Sequence, residues 1–463
     1  MKKIYRLIII AGFCMAFNAC KKSHDAVRAI KPVVRLPDQI RADRTLYSDT
    51  VYTFYSVFVT DNAVLTIEPG TLIKSQDFAA GESRSGPFVI DQGAKIMAEG
   101  TVDKPIVFTS GSPAGQRQHG DWTGLYILGK APVSGYDEAT GGPATMISIR
   151  GVSMPNGGGG SDPEDNSGIL KYVRIEFAGD PGNDSYALGC VGVGRGTVIE
   201  NIEASYTQIS GFGFFGGTVN ARNLVAFNNR LAGFVYANGY TGKQQFIVSY
   251  KHPYFAATSG LWYTCDAVLS FNDIQNNPLI ESTRPVISNL TVIGPYNNPG
   301  YNEFLPWNAA VNISYGSAMV LRNSILMGMP KGGIKFTDDA AALHLLDGTT
   351  EFSYNLAHSN NPGEAYTTDI NAVYSVDSTI VNDYALSHDN ARYETPALLG
   401  LTDPFNFTLP VMTPLSNSPA LTGANFDGPD FSGYFQPVVY RGAFGSVNWM
   451  NGWTSFYPVT ATY

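Results

Sequence analysis

From Val64 onward the chain alternates apolar and polar positions in short runs broken by turn formers. Val64-Leu65-Thr66-Ile67 leads through Glu68-Pro69-Gly70 to Thr71-Leu72-Ile73. Phe88-Val89-Ile90, Asp91-Gln92-Gly93 and Ala94-Lys95-Ile96-Met97 repeat that order, and Pro105-Ile106-Val107-Phe108-Thr109 follows. A period of two predicts strands that bury every second side chain. The Glu-Pro-Gly and Gln-Gly-Ala breaks predict tight corners between them. No long helical period interrupts the pattern.

Further along, a polar residue repeatedly precedes such a strand. Asn201-Ile202-Glu203-Ala204, Asn223-Leu224-Val225-Ala226, Asn289-Leu290-Thr291-Val292 and Asn323-Ser324-Ile325-Leu326 share the frame, and Lys171-Tyr172-Val173-Arg174-Ile175 fits it without the Asn. The first two lie 22 residues apart and the next interval, 66 residues, is three times that. This predicts one coil of a parallel β-helix per 22 residues, with Asn side chains stacked as a ladder at equivalent turns. Asn is also a common turn residue, so chance recurrence is the competing explanation.

Composition agrees with an all-β chain. Charged residues are 15%, Gly and Pro number 49 and 27, and Tyr and Phe contribute 26 each. A typical globular domain carries about 25% charge. A chain this long exceeds one ordinary core, and a repetitive architecture avoids that limit because each repeat packs only on its neighbours. The expected division is a signal segment over 1–19, a tether over 20–45, a solenoid with loop insertions over 46–425, and a C-terminal closing segment over 426–463. Within the last, the block from Tyr440 to Trp453 is expected to close the end of the solenoid.

The N-terminus sets the expected location. Lys2, Lys3 and Arg6 precede an apolar run of eleven residues, Leu7 to Phe17, which Asn18-Ala19-Cys20 closes. A bilayer needs roughly twenty apolar residues, so this run reads as a signal rather than a span. The order predicts cleavage before Cys20 and lipidation of Cys20; an ordinary secretory signal holding a cysteine is the alternative. Several acyl chains anchor a protein stably where one does not. Lys21 follows the cysteine instead of Asp, which favours the outer membrane, with the leaflet left open. Cleavage removes three basic residues and no acid, moving the formal charge from -9 to -12. An acidic chain without a basic run excludes nucleic acid as the expected partner.

A resemblance then becomes specific. Leu65-Thr-Ile-Glu-Pro-Gly-Thr-Leu-Ile-Lys74, Gly93-Ala-Lys-Ile-Met-Ala-Glu-Gly-Thr101 and Gly120-Asp-Trp-Thr-Gly-Leu125 are followed by Asp165-Asn-Ser-Gly-Ile-Leu-Lys-Tyr-Val-Arg-Ile-Glu176, Phe215-Gly-Gly-Thr-Val-Asn220 and Asn289-Leu-Thr-Val-Ile-Gly-Pro295. Tyr440-Arg-Gly-Ala-Phe-Gly445, Trp449 and Gly452-Trp453 complete the series. In this order the stretches resemble a family of Bacteroidetes surface and secreted proteins. Lys21-Lys22-Ser23 is similar to the start of mature lipoproteins of that kind, which tolerate Phe17 and Asn18 in the signal. The resemblance implies a right-handed, pectate-lyase-like solenoid and a location more than an activity. Members carry acidic residues around the Phe-Gly-Gly motif. Here Gly211-Phe-Gly-Phe-Phe215 and the stretch Asn228 to Asn238 hold no Asp or Glu, so no metal site is carried across.

Candidate chemistry is sparse. Arg174 and Glu176 share a strand face, and alternation places Glu203 on the same face one coil on. A lyase or glycosidase needs such carboxylates beside a base, whereas an exposed sheet face with cross-strand ion pairs is the plainer expectation. Asp338-Asp339 reads as a loop. Gly157-Gly-Gly-Gly-Ser-Asp162-Pro-Glu164-Asp165 reads as a projecting, solvated loop; its acids lack the spacing of an EF-hand. The histidines, His24, His119, His252, His344, His358 and His388, show no metal-ligand spacing. Cys190 and Cys265 remain as a disulfide or as two separate buried thiols. Trp262-Tyr263, Tyr236 with Tyr240, and Tyr296 to Trp307 suit either sugar stacking or the core. The expectation is a lipid-anchored, non-catalytic binding module for polysaccharide or another surface polymer. A β-helical polysaccharide lyase or hydrolase and an adhesive surface protein are the alternatives. No catalytic residue, metal or cofactor is assigned, and the ligand-binding residues and oligomeric state are left open.

Overall fold

The computed structural model describes residues 31–77, 84–137, 142–180, 183–256, 265–272, 282–295, 307–359, 362–369 and 376–463. The chain divides into two compact units at Pro32, and the second, Val33–Tyr463, carries the strands. Cys20, His24, Trp262, Tyr263 and residues 296–306 lie outside the described residues.

The unit winds as a right-handed parallel β-helix. One sheet stacks eleven parallel strands, from Gln39–Ile40 to Tyr366–Thr368, one per coil. A seventeen-stranded sheet forms the other two sides. Its two columns join where five long strands, Gly168–Glu176, Val198–Ser205, Ala221–Phe227, Lys243–Tyr250 and Val286–Ile293, bend from one side to the next. The bend is a single left-handed residue. Tyr172 (φ 50°), Asn201 (56°), Asn223 (57°), Phe246 (56°), Asn289 (57°), Asn323 (57°) and Tyr354 (59°) stand at the same register position in successive coils. This conformation costs L-residues about 1–2 kcal/mol, and Asn tolerates it through local hydrogen bonding. The recurrent Asn is therefore the signature of a corner.

Coil length is not constant. Phe246 is the corner between Asn223 and Asn289, so the 66-residue interval holds two coils and an insertion instead of three equal coils. The ladder is real but local. Asn323 Nδ2 donates to Ser288 Oγ (3.0 Å), Ser288 Oγ to Asn289 Oδ1 (2.9 Å), and Gln245 Nε2 to the same oxygen (3.1 Å). A second ladder is buried one residue on. Leu290 N donates to Ser324 Oγ (3.1 Å), Ser324 N to Asn355 Oδ1 (2.9 Å), and Asn355 Nδ2 to Asn390 Oδ1 (2.9 Å). Aromatic side chains stack inside in the same way, Phe212 on Phe234 at 5.0 Å and Phe214 on Tyr236 at 5.7 Å.

Both ends differ from expectation. Val33–Arg35, Gln39–Ile40 and Arg44–Leu46 pair with the following coil and bury Leu36, Ile40 and Leu46, so the solenoid starts inside the expected tether. Pro32 and Pro37 bracket this first strand so closely that its alternation is too short to read. The last coil strand is Ala391–Tyr393. A helix, Ser378–Ser387, covers the end: Asp377 caps it by accepting from Ile380 N (2.9 Å), Val381 and Ala385 are buried, and Tyr384 packs on Phe352 at 5.0 Å.

The segment after Tyr393 does not close that end. It winds back along the outer face of the seventeen-stranded sheet as a strap. Asn425 bonds Asn323, and Gln436 bonds Gln245. Asn289 donates to Tyr440 O and Gly442 O, and Ala443 N donates to Thr291 Oγ1 (2.8 Å). Trp453 stands edge-on to Tyr172 at 5.8 Å, Phe456 packs on Phe227 at 4.9 Å, and Pro458 O accepts from Arg117 (2.6 Å). The strap buries an outward apolar row, Phe177, Val225, Phe227, Val248, Tyr250 and Ile293.

Candidate functional site

The structure brings the Arg174 group together. Arg174 lies opposite Glu203 in the neighbouring strand, and its Nε is 3.2 Å from Glu176 Oε1. The face is not exposed, however: Glu176 and Glu203 are both 0% accessible. Tyr463 donates its hydroxyl to Glu176 (2.7 and 2.5 Å) and accepts from Arg174 Nη2 (3.0 Å). Ser455 N donates to Glu203 Oε2 (2.8 Å), and the Arg117 guanidinium lies 4.8 Å over the Tyr463 ring. Burial pushes the Glu203 carboxyl up to about 8; Arg174 and the Ser455 amide pull against it, and Glu176 adds to the rise. These groups fasten the strap, and the strap occupies the space a substrate would need. Outside it, Glu200 takes the ordinary cross-strand role between Lys171 (3.3 Å) and Arg222 (3.1 Å).

The glycine run is packed instead of projecting. It lies on the outer face of the eleven-stranded sheet, where Ile147, Ile149, Val152 and Met154 cover Tyr126, Leu128, Tyr186 and Val191. Gly158 exchanges backbone hydrogen bonds with Ile147, and a Cβ on it would meet Val191 O at 2.1 Å. The glycines permit backbone-to-backbone contact with the sheet. Gly158→Ala therefore displaces main chain on one side or the other, and an expected loss of about 1–3 kcal/mol is checked by urea denaturation. An unchanged midpoint would contradict this packing. The loop acids face separate partners: Asp162 Oδ1 accepts from Glu164 N, Glu164 pairs with Arg195 (3.1 Å), and Asp165 accepts from Ser167 (3.1 Å). Among the described residues no three His, Cys, Asp or Glu side chains gather as a metal cage.

Other candidates resolve into structural roles. Asp338 is a helix cap, accepting from Ala341 N (3.0 Å) and Gly316 N (3.1 Å), and Asp339 begins the helix Asp339–Leu346. Tyr236 and Tyr240 are core residues, and Trp307 is buried with Cys265, Ile209 and Leu231. Cys190 lies in the main core, so the two cysteines are separate buried thiols without a disulfide. His119 and His252 are held down near 4 by burial, and His358 Nδ1 accepts from Gly328 N (3.2 Å).

An open groove of about 630 Å³ near the last coils was not legible in the sequence. Arg322, Glu351, Ser353, Tyr354, Tyr384 and His388 line it, together with the exposed Asp347 and Asp389. Arg322 grips both oxygens of Glu351 (2.5 and 2.8 Å), and Ser353 Oγ donates to one of them (2.7 Å). Burial opposes the Glu351 charge, but the Arg322 and Ser353 bonds prevail and hold its carboxyl below the usual range. The His388 imidazole stacks on Tyr384 at 3.8 Å. Flat rings beside fixed polar groups suit stacking and hydrogen bonding of a polyol. Glu351, with both oxygens committed to Arg322, is not poised as a proton acceptor.

Residues 38–393 match the family model of a pectate-lyase like beta helix domain. The chain belongs to that family. Among solved structures, this pectate-lyase-like β-helix chain is similar to pectate lyase Pel9A, with 12% identity, a TM-score of 0.40, and coverage of 83% of this chain and 88% of that one. No curated protein matches it.

Proposed function

We propose that this pectate-lyase-like β-helix chain is a lipid-anchored outer-membrane protein that binds polysaccharide without cleaving it. One contrast carries the reading. The Arg174, Glu176 and Glu203 side chains that would suit catalysis are closed beneath the strap, whereas the groove of Tyr354, Tyr384 and His388 is open. Membership of a pectate-lyase-like family supports a polysaccharide as the ligand. Anchoring rests on Cys20 and the apolar run before it.

The test is a glycan array and a product assay on the full chain, with and without Ca²⁺. Binding without product is the expected outcome. Tyr354→Ala and Tyr384→Ala should each weaken it about tenfold, which corresponds to about 1.4 kcal/mol. Unsaturated or reducing-end products would establish an enzyme in its place, and silence in both assays would favour the adhesive reading. Cys20→Ser should move the protein from the membrane to the soluble fraction; unchanged fractionation would sink the anchor.

A further inference from the structure

A second groove, of about 260 Å³, opens on the flank of the solenoid, lined by Arg195, Thr218, Asn220, Thr241, Lys243 and Tyr434. Arg195, Thr218, Asn220 and Thr241 come from the turns that lead into three successive strands, Val198–Ser205, Ala221–Phe227 and Lys243–Tyr250, and Lys243 begins the last of these. Stacking of coils about 4.8 Å apart sets their spacing. The turns brace one another: Arg195 N donates to Thr218 Oγ1 (3.2 Å), and Lys243 N donates to Asn220 Oδ1 (2.8 Å). With its oxygen so used, Asn220 offers the groove its amide N–H groups. Tyr434 comes from the strap, and the Arg222 guanidinium fixes its ring from 4.7 Å.

The charge here runs against the rest of the chain. Among the described residues Lys243 Nζ donates to Ser432 O (2.9 Å) and lies 5.8 Å over the Phe435 ring. Asp430, whose charge acts on Lys243, is held by both terminal nitrogens of Arg284 (3.0 and 2.8 Å). Arg195 pairs with Glu164, but the side chains are 49% and 65% exposed, and such surface pairs exchange readily. Burial holds the Lys243 ammonium below its usual range; Asp430 opposes this and Arg195 reinforces it. Two cations thus line one small groove in a chain of formal charge -9.

We propose that the groove between Arg195 and Lys243 binds an anionic group, a carboxylate or a sulfate ester, carried on a polymer. An anion there relieves the mutual repulsion of the two cations and takes hydrogen bonds from Arg195, Lys243 and Asn220, with the Tyr434 ring as a wall. This deepens the polysaccharide reading by naming the charge of the ligand, and it does not depend on the groove at Tyr354.

The test measures affinity of the full chain for hyaluronan (carboxylate), dextran sulfate (sulfate ester) and dextran (neutral), with free glucuronate and inorganic sulfate titrated calorimetrically at constant ionic strength. Lys243→Gln and Arg195→Gln should each lower affinity for the charged polymer about tenfold and leave dextran unaffected. Preference between hyaluronan and dextran sulfate identifies the anion. Wild-type affinity in both variants overturns the proposal, as does dextran bound as well as the charged polymers; the latter leaves the polysaccharide reading standing. Small anions bound without any polymer overturn the polymeric ligand and leave the groove an anion site. No binding of any probe overturns the proposal, and the glycan array then decides the polysaccharide reading by itself.

Discussion

Trp453→Ala should cost about 3–5 kcal/mol, the usual range for removing a buried tryptophan, and free the strap from the solenoid flank. Trp453 is 0% accessible. Its indole N–H donates to Trp449 O (2.8 Å), and its ring meets Tyr172 edge-on and Trp449 face-on. Truncation leaves a cavity between the strap and a sheet whose outer row is apolar. The coils beneath hold their own ladders and stacked core, so circular dichroism should stay β-rich while chymotrypsin gains access to Phe444, Trp449 and Phe456. Val439→Ala, at a site 71% exposed, should change stability by less than about 0.5 kcal/mol. A Trp453→Ala protein with wild-type protection and an unchanged urea midpoint would show that the strap is held elsewhere.

Glu203→Gln should stabilise the protein at pH 8 and remove one component of its alkaline decline. The folded carboxyl titrates at about 8 and the unfolded one near 4.5. Between those values the folded state holds a proton that the unfolded chain has released. Stability therefore falls as pH rises from about 4.5 to about 8, and levels off above. A tenfold change in an acid's ionisation constant on folding corresponds to about 1.4 kcal/mol, so a gain of about 2 kcal/mol or more at pH 8 is expected, with near equality at pH 4.5. Glutamine keeps an oxygen for the Ser455 amide and brings no second negative charge beside Glu176. His119 and His252, held near 4, act in the opposite sense between about 4 and 6.5. The difference between variant and wild type isolates Glu203. Parallel pH profiles of the urea midpoint would refute the assignment.

The corner residues show how far local chemistry reaches. Asn201, Asn223, Asn289 and Asn323 were legible because a left-handed corner favours Asn. Tyr172, Phe246 and Tyr354 take the same conformation under tertiary constraint, and no side-chain preference announces them. Missing Phe246 is what turned two unequal coils into three equal ones. Likewise, alternation brought Arg174, Glu176 and Glu203 to one face, because register in a parallel sheet follows from period two. It could not bury them, since Ser455 and Tyr463 arrive from more than 250 residues away.

The amino-acid sequence by itself therefore determined the strands, their inward alternation, many of the corners and the fold class, all of which depend on neighbours within a few residues. Tertiary structure alone decided which faces stay open. The strap closes the Arg174 face, the inserted glycine loop covers the eleven-stranded sheet, and helix Ser378–Ser387 seals the last coil. The first groove draws residues from separate coils and the end of helix Ser378–Ser387, the second from three coils and the strap, set beside each other by a stacking distance that no local pattern encodes. Burial and accessibility are sums over the whole fold, and the site depends on them.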